Sequence, residues 1–264
     1  MLRVFPKKSL GQNFLSNPKI LDKIVDAAEI TKEDTVLEIG PGTGNLTKKL
    51  AEKSGQVVAI EKDHRLIESL RAEMPSNVKV IEGDILKFSP AMVPIVLQWA
   101  PLQSGRYKII GNIPYYLTSH LIRTIFEEWP RPKLIVLTIQ KEVAQRIVAQ
   151  PPDMSILAIS VQYYSDPKII DYISKGNFKP TPKIDSAIIR LRPKNIQGIE
   201  DEKHFFEVVR LGFSSKRKKL IKNLGIKYAP LKLERAFAKL GLTPNARAQE
   251  LSVENWIELS SRIL

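Results

Sequence analysis

Short runs of β-branched residues alternate with longer segments of helical periodicity through the first two thirds of the chain. This alternation is typical of βαβ units, in which crossover helices join parallel strands. We therefore predict an α/β, Rossmann-like fold built on a parallel sheet. The predicted strands are residues 35–39, 56–61, 78–82, 108–111, 134–139, 168–173 and 186–191. The predicted helices include residues 45–54 and 66–73. Residues 155–164 are apolar enough to form either a strand or a helix, and we favour a helix.

A polar, turn-forming stretch follows the last predicted strand. Residues 192–198 read RPKNIQG, and the chain beyond them has helical spacing without obvious strands. We predict one domain over residues 1–194 and a small helical domain over residues 199–264. Residues 89–102 are apolar, contain prolines and form a longer connection between the third and fourth strands than we expect; no role is assigned to them.

The charge of the chain favours a polyanionic partner. Lys and Arg total 41 against 28 Asp and Glu, a formal net charge of +13, and a field of this sign attracts nucleic acid or an anionic membrane surface.

No run reaches the ~18 apolar residues of a membrane helix, and the start lacks the apolar block of a signal peptide. With no cysteine and three scattered histidines, a structural zinc is disfavoured. We expect a soluble, cytoplasmic protein without a metal.

A glycine-rich loop follows the first predicted strand of the sheet. Gly40 and Gly42 lie in EIGPGTGN, residues 38–45, between a strand and a helix, where a doubly wound sheet binds nucleotide-like ligands. Glu61 ends the next strand, near the spacing of about 20 residues typical of a carboxylate that binds ribose hydroxyls. Position 45 is Asn instead of the third glycine of a dinucleotide loop, and no Gly-Lys-Ser/Thr of a phosphate loop follows.

These residues favour a ligand that carries adenosine without phosphates, which is S-adenosylmethionine. Asp84 ends the third predicted strand and is placed to accept a hydrogen bond from an adenine amine. The alternative is a glycine-rich turn that serves tight packing, with Glu61 as a surface carboxylate.

The segment Asn112-Ile113-Pro114-Tyr115 follows the fourth strand, at the edge of the sheet where ligands bind. The Asn112 side-chain oxygen and the Ile113 carbonyl could accept both hydrogens of an adenine amine and free its lone pair for methyl transfer. Pro114 restrains Ile113 to an extended conformation. Tyr115 offers a flat face for stacking on the base, which must be unpaired or flipped out. The alternative is a strand-ending proline turn with a packing tyrosine.

Cations cluster in the C-terminal part of the chain. The predicted arrangement is about two helical turns with Ser215 at the start, and we expect it to bind RNA phosphates. The alternative is a solvated face that only promotes solubility. The cations are Lys216, Arg217, Lys218, Lys219 and Lys222.

Over nearly its whole length the chain resembles the ribosomal RNA adenine dimethyltransferase family. The matching blocks, in chain order, are GQNFL (11–15), residues 38–47, Glu61, Asp84, residues 112–115, QKEVAQR (140–146) and FKPTPKIDSA (178–187). Tyr116 stands where the family usually has Asn, and Ile113 and Ile184 replace the commoner Leu and Val.

The resemblance implies a seven-stranded methyltransferase sheet, a small helical domain and a role in ribosome biogenesis. It implies that two adjacent adenines in a hairpin loop near the end of small-subunit ribosomal RNA are dimethylated. It also implies that Tyr115 and Phe178 sandwich the target base. Taken without the resemblance, Phe178 is more typical of a core residue and Asn13 of a helix-capping residue. We expect a monomer that acts on the immature small subunit. The residues that the resemblance implies contact S-adenosylmethionine are Asn13, Leu15, Gly40, Glu61, Asp84 and Asn112.

Three other functions stay open or are disfavoured by particular residues. A large-subunit enzyme of the macrolide-resistance type has similar blocks, but the loop at residues 40–44 and Asp185-Ser186-Ala187 fit the small-subunit branch better. A non-catalytic nucleic-acid-binding assembly factor would not require intact Asn112, Tyr115 and Glu61. A nicotinamide oxidoreductase is disfavoured by Asn45.

Overall fold

The computed structural model describes residues 6–7, 10–87, 105–195 and 201–264. The predicted long connection at residues 89–102 lies outside the described residues. The chain divides into two compact units. The first comprises residues 1–144 and 166–193, and the second residues 145–165 and 194–264.

A seven-stranded sheet forms the centre of the first unit, in the order β4-β3-β2-β5-β6-β9-β7. All seven predicted strands are present, with their ends within three residues of the prediction. The four central parallel strands were predictable because they are apolar runs buried on both faces of the sheet. The strands are β2 (Thr35–Ile39), β3 (Gln56–Glu61), β4 (Val78–Glu82), β5 (Tyr107–Asn112), β6 (Leu134–Gln140), β7 (Ser165–Ile173) and β9 (Ser186–Pro193).

Strands β2 to β6 pair in parallel, so their carboxyl ends meet at one edge of the sheet. Ile39 lies beside both Ile60 and Gly111. Strand β9 runs antiparallel to β6, which differs from the predicted parallel sheet. Consecutive parallel strands are joined by a crossover connection, usually a helix. The connection from β7 to β9, residues 174–185, contains only a 3-10 turn and a two-residue strand, so the chain reverses direction there.

A second, two-stranded sheet joins β1 (Phe14–Leu15) to β8 (Phe178–Lys179). Phe14 lies opposite Lys179 and Leu15 opposite Phe178 in this antiparallel pair. The pairing fixes the N-terminal segment beside the carboxyl edge of the main sheet.

The starts of two helices in the first unit are explained by the residue that precedes each helix. Helix α2 starts directly after Gly44, whose φ of +77° a side chain would disfavour. Asp63 caps α3 by accepting from the Arg65 amide. The predicted helices at residues 45–54 and 66–73 are confirmed with small shifts at their ends. The helices of the first stretch of this unit are α1 (Pro18–Ala27), α2 (Asn45–Lys53), α3 (His64–Glu73) and α4 (Thr118–Glu127), and α5 (Lys141–Ile147) spans the division after residue 144.

An ion pair is buried at the opposite edge of the sheet, where the strands begin. Lys108 Nζ lies 2.8 Å from Asp34 Oδ2, and both side chains are buried. Lys108 Nζ also donates to the Glu29 carbonyl. Lys133 approaches the other oxygen of Asp34 at 3.5 Å.

The second unit contains the predicted helix at residues 155–164, which is confirmed as α6 (Ile156–Tyr164) with Ser155 as its cap. The prediction assigned this helix to the first domain, whereas it belongs to the second compact unit. The physical reason is an aromatic core in which Tyr163 stacks on Phe205 with ring centroids 4.5 Å apart. The remaining helices are α7 (Glu202–Gly212), α8 (Leu220–Leu224), α9 (Pro230–Lys239) and α10 (Val253–Ile263).

Candidate active site

A pocket lies at the carboxyl edge of the sheet, within the first unit. Its lining combines the N-terminal segment at residues 10–15, the glycine-rich loop, the ends of β3 and β4, and residues 112–117 after β5. Segments far apart in sequence meet here because parallel strands in register end together. The pocket therefore contains all the predicted cofactor residues and four of the five predicted catalytic residues, namely Asn13, Leu15, Gly40, Gly42, Glu61, Asp84, Asn112, Ile113, Pro114 and Tyr115.

The glycine-rich loop bends closely around its neighbours. Gly42 has a φ of +59°, and a Cβ there would lie 2.9 Å from the Phe14 ring. A Cβ on Gly40 would meet the Asn112 carbonyl oxygen only at 3.9 Å. Packing and a positive φ thus both favour glycine at position 42, while at position 40 glycine is favoured by the φ of +68° alone.

Glu61 is held by the backbone around it. Its Oε2 accepts from the Gly42 amide at 3.0 Å and its Oε1 from the Asp63 amide at 2.8 Å. Burial raises the pKa of Glu61, although these two amides oppose the shift. Each carboxylate oxygen can accept a second hydrogen bond, so the side chain is both fixed in place and able to receive two ribose hydroxyls.

Asp84 forms an ion pair that has no signal in the sequence pattern. Its Oδ2 lies 2.8 Å from Lys62 Nζ, and its Oδ1 accepts from the Leu86 amide at 3.2 Å. Partial burial acts to raise the pKa of Asp84, but the hydrogen bonds from Lys62 and Leu86 lower it overall. Asp84 therefore stays ionised and can accept a further donor such as an adenine amine.

Glu38 is a pocket residue that was not among the predicted site residues. It is 1% exposed, and its Oε2 has no hydrogen-bond partner among the described residues. Burial, opposed by nearby Thr47 and reinforced by the charge of Glu61, raises the pKa of Glu38 to about 8. The signal that could have identified it is a carboxylate inside the otherwise apolar strand β2.

Asn112 is oriented by the N-terminal segment. Its Nδ2 donates a 2.8 Å hydrogen bond to the Asn13 carbonyl, and the Asn13 side chain in turn donates to the Gly11 carbonyl. Since the Asn112 amide nitrogen is engaged, its oxygen is the atom left to accept a hydrogen bond from a ligand.

The turn after Asn112 presents Tyr115. Pro114 has φ −53° and ψ 130°, and Tyr115 begins a 3-10 turn. The Tyr115 hydroxyl lies 2.8 Å from Ser186 Oγ. This hydrogen bond anchors the far end of the half-buried ring, so the ring has a fixed orientation beside the pocket.

Phe178, unlike the other predicted catalytic residues, does not line the pocket. It is 1% exposed and packs in the core cluster that also includes Leu15 and Leu21. The pairing of β1 with β8 places it opposite Leu15. Its role in stacking on a base stays a prediction.

The predicted RNA-binding cations of the second unit lie mainly in a loop, and the prediction of two helical turns capped by Ser215 is wrong. Helix α8 begins only at Leu220, after Lys219, without a side-chain cap. Asn223 holds the loop by donating to the carbonyls of Gly212 at 2.6 Å and Ser215 at 3.1 Å. These bonds replace the capping that the pattern suggested. All five cations are exposed.

Among the described residues, no cluster of three or more acidic or histidine side chains could hold a metal ion. Within the same part of the chain, no helix has the length and apolar character needed to cross a membrane.

The chain is similar to known proteins in both sequence and fold. The family model described as ribosomal RNA adenine dimethylase matches residues 5–264. A ribosomal RNA small subunit methyltransferase A of Dehalococcoides mccartyi is 38% identical over 257 residues, covering 95% of this chain and 86% of the relative. The protein of the same name from Bacillus mycoides is 39% identical over 269 residues, covering 98% and 91%.

Two solved structures are similar over nearly the whole chain. The 23S rRNA methyltransferase ErmE has a TM-score of 0.79 and 29% identity, covering 95% of this chain and 99% of that one. A dimethyladenosine transferase from Plasmodium falciparum has a TM-score of 0.75 and 31% identity, covering 93% and 95%.

The seven-stranded sheet and the pocket at its carboxyl edge define a Rossmann-like methyltransferase that uses S-adenosylmethionine. The glycine-rich loop that lines the pocket, the doubly held carboxylate of Glu61 and the ionised Asp84 fit this donor. The chain belongs to the ribosomal RNA adenine dimethylase family.

Proposed function

We propose that this chain dimethylates the exocyclic amines of two adjacent adenosines in a hairpin loop near the end of small-subunit (16S) ribosomal RNA, during ribosome biogenesis. The names of the curated relatives support the small subunit as substrate. The observation that carries the chemistry is the hydrogen bond from Asn112 Nδ2 to the Asn13 carbonyl, because it commits the amide oxygen to the incoming base.

The amine of adenine is a poor nucleophile because its lone pair is delocalised into the ring. In the proposed mechanism the Asn112 side-chain oxygen and the Ile113 carbonyl oxygen accept hydrogen bonds from the two N–H groups of this amine. This draws the nitrogen toward tetrahedral geometry and localises the lone pair. After transfer the nitrogen is ammonium-like and sheds a proton readily, so no strong base is required, and positioning contributes most of the rate.

S-adenosylmethionine supplies a methyl group activated by positively charged sulfur. The residues of the chain hold it: Glu61 accepts from the ribose, Asp84 accepts from the adenine amine, and Gly40 and Gly42 give it access to the backbone. Asn13, Leu15 and Asn112 complete the proposed binding site.

Tyr115 is the proposed stacking surface for the extruded base, and its bond to Ser186 supports this role by fixing the ring. Phe178 is the predicted second surface. A purine sandwich would require the Phe178 side chain to leave its buried position.

The second unit is proposed to bind ribosomal RNA through the loop that carries Lys216, Arg217, Lys218 and Lys219, and through Lys222 of α8. Their exposure and the +13 charge of the chain support phosphate contact. We also propose that the enzyme is a cytoplasmic monomer and that it acts on the immature small ribosomal subunit.

A second candidate function is methylation of large-subunit RNA, which the similarity to ErmE favours. The two candidates are separated by supplying each purified, unmethylated ribosomal subunit with donor that carries a labelled methyl group. Incorporation into the small subunit alone supports the proposal. Incorporation into the large subunit alone would replace it with the second candidate, and RNA binding without incorporation would indicate an assembly factor.

A further inference from the structure

Three exposed lysines lie on one loop beside the pocket, and none of them is among the site residues named above. The loop, residues 174–185, connects the end of β7 to the start of β9. We call it the lysine loop. Lys175, Lys179 and Lys183 are all exposed, and none forms an ion pair within the part of the chain that the structure describes.

The lysine loop adjoins the pocket at two points. Lys179 pairs with Phe14, which lines the pocket. At the other end of the loop, Ser186 contacts the hydroxyl of Tyr115, which also lines the pocket. The loop therefore flanks the proposed position of the target base.

Several hydrogen bonds hold the lysine loop in place. The Lys175 amide donates to Asp185 Oδ1 at 3.0 Å, and the Asp185 carbonyl accepts from the Lys141 amide at 3.0 Å. Asn177 Oδ1 accepts from the Asn17 side chain at 2.8 Å. Asp185 is the one acidic residue of the loop. These bonds therefore hold the loop in place and leave its three exposed ammonium groups without an ion pair among the described residues.

Successive side chains of a strand point to opposite faces. In β8, Phe178 is buried and Lys179 is exposed, so the strand carries a cation on its outer side directly above the core. A base flipped out to Tyr115 turns about its own backbone into the pocket, so its flanking phosphates would lie outside the pocket, where the exposed side of β8 could contact them.

We propose that the lysine loop binds the RNA phosphates on either side of the target nucleotide through Lys175, Lys179 and Lys183. The inference rests on the proposed function and extends it, since it places a phosphate-binding surface in the catalytic unit in addition to the cations of the second unit. The proposed ligand is the backbone of single-stranded RNA, which agrees with a target adenine that must be unpaired.

The test replaces the three lysines together, as Lys175→Glu, Lys179→Glu and Lys183→Glu. The matched control carries Lys32→Glu, Lys53→Glu and Lys168→Glu, which change the net charge equally at exposed positions away from the pocket. Binding of a small-subunit RNA hairpin is measured by fluorescence anisotropy at several salt concentrations. Cofactor affinity, measured by calorimetry, checks that both variants are folded.

We expect the salt dependence of the loop variant to flatten by about 2 in log–log slope, since each phosphate bound on a single strand contributes about 0.7 to that slope. The control should keep the wild-type slope. A variant with Gln at the three positions should also show a flatter slope. Equal slopes and affinities in the loop variant and the control would overturn the inference. Because binding is read without turnover, a wild-type protein that binds the hairpin but methylates no adenine would refute the proposed function and not the loop.

Discussion

Asn112 Nδ2 donates a 2.8 Å hydrogen bond to the backbone carbonyl of Asn13, a residue 99 positions earlier in the chain. The bond joins the N-terminal segment to the end of the fourth strand of the main sheet in sequence order. It also decides which atom of the Asn112 amide is available to a ligand.

The first prediction is that Asn112 and Asn13 have different roles, the former in catalysis and the latter in binding of the donor. Asn112→Ala removes an acceptor that acts on the reacting amine, so kcat should fall by about 10² to 10³ while the RNA affinity is kept. Asn13→Ala leaves its backbone carbonyl in place and should mainly raise the Kd for the donor. Single-turnover kinetics and calorimetry measure the two quantities. Equal loss of kcat in both variants would contradict the proposed division of roles.

The second prediction concerns Tyr115. Tyr115→Ala removes the stacking surface, worth about 1 to 3 kcal/mol per base, and should raise the KM for RNA accordingly. Tyr115→Phe keeps the ring and loses only the bond to Ser186, so its effect should be smaller and similar to that of Ser186→Ala. If Tyr115→Phe is as impaired as Tyr115→Ala, the hydroxyl has a role other than anchoring the ring.

The third prediction is a pH dependence of stability from Glu38. Its folded pKa of about 8 lies above the ordinary value of 4.5, so the folded state binds a proton that the unfolded state releases. The stability contributed by this group is fully present below pH 4.5 and is lost as the pH rises to about 8. Glu38→Gln should remove that loss and be more stable than the wild type at pH 8 by about 1 to 3 kcal/mol. Urea unfolding from pH 5 to 8.5 measures the difference, and parallel profiles for the two proteins would contradict it.

The fourth prediction addresses the second unit. Arg217→Glu with Lys218→Glu should weaken binding to the small subunit and flatten its salt dependence by about 1 to 2. Lys203→Glu with Lys239→Glu, also exposed and equal in charge, is the control. Sedimentation binding assays at two salt concentrations give both quantities. If the two variants bind alike, the basic loop serves solubility only.

The fifth prediction concerns the buried pair of Lys108 and Asp34. Lys108→Met should lower the free energy of unfolding by about 3 to 5 kcal/mol, because it leaves a buried carboxylate without its main partner. Adding Asp34→Asn should recover part of the loss. Urea denaturation measures all three proteins, and cofactor affinity should hardly change because the pair lies at the edge opposite the pocket.

The local elements of this fold could be predicted because their signals are local. The strand at residues 56–61 and the turn into α2 are read directly from apolar runs and glycines. The pocket followed from one further rule, that parallel strands place their following loops at one edge. The antiparallel orientation of β9 could not be predicted from local sequence, because it depends on which strands become neighbours in the sheet.

Features set by tertiary packing were missed for the same reason. The place of residues 145–165 in the second unit depends on aromatic contacts such as Tyr163 with Phe205. The basic run has helical periodicity, but the side chain of Asn223 holds it as a loop. The pairing of Lys62 with Asp84 has no signature in nearby sequence.

The most direct test is mass spectrometry of ribosomal RNA from unmethylated small subunits incubated with the protein and S-adenosylmethionine. The predicted result is two adjacent adenosines near the end of the small-subunit RNA, each with two added methyl groups, and their absence when Asn112→Ala replaces the wild type. Unmodified RNA after incubation with the wild-type protein, or full dimethylation by the Asn112→Ala variant, would contradict the account.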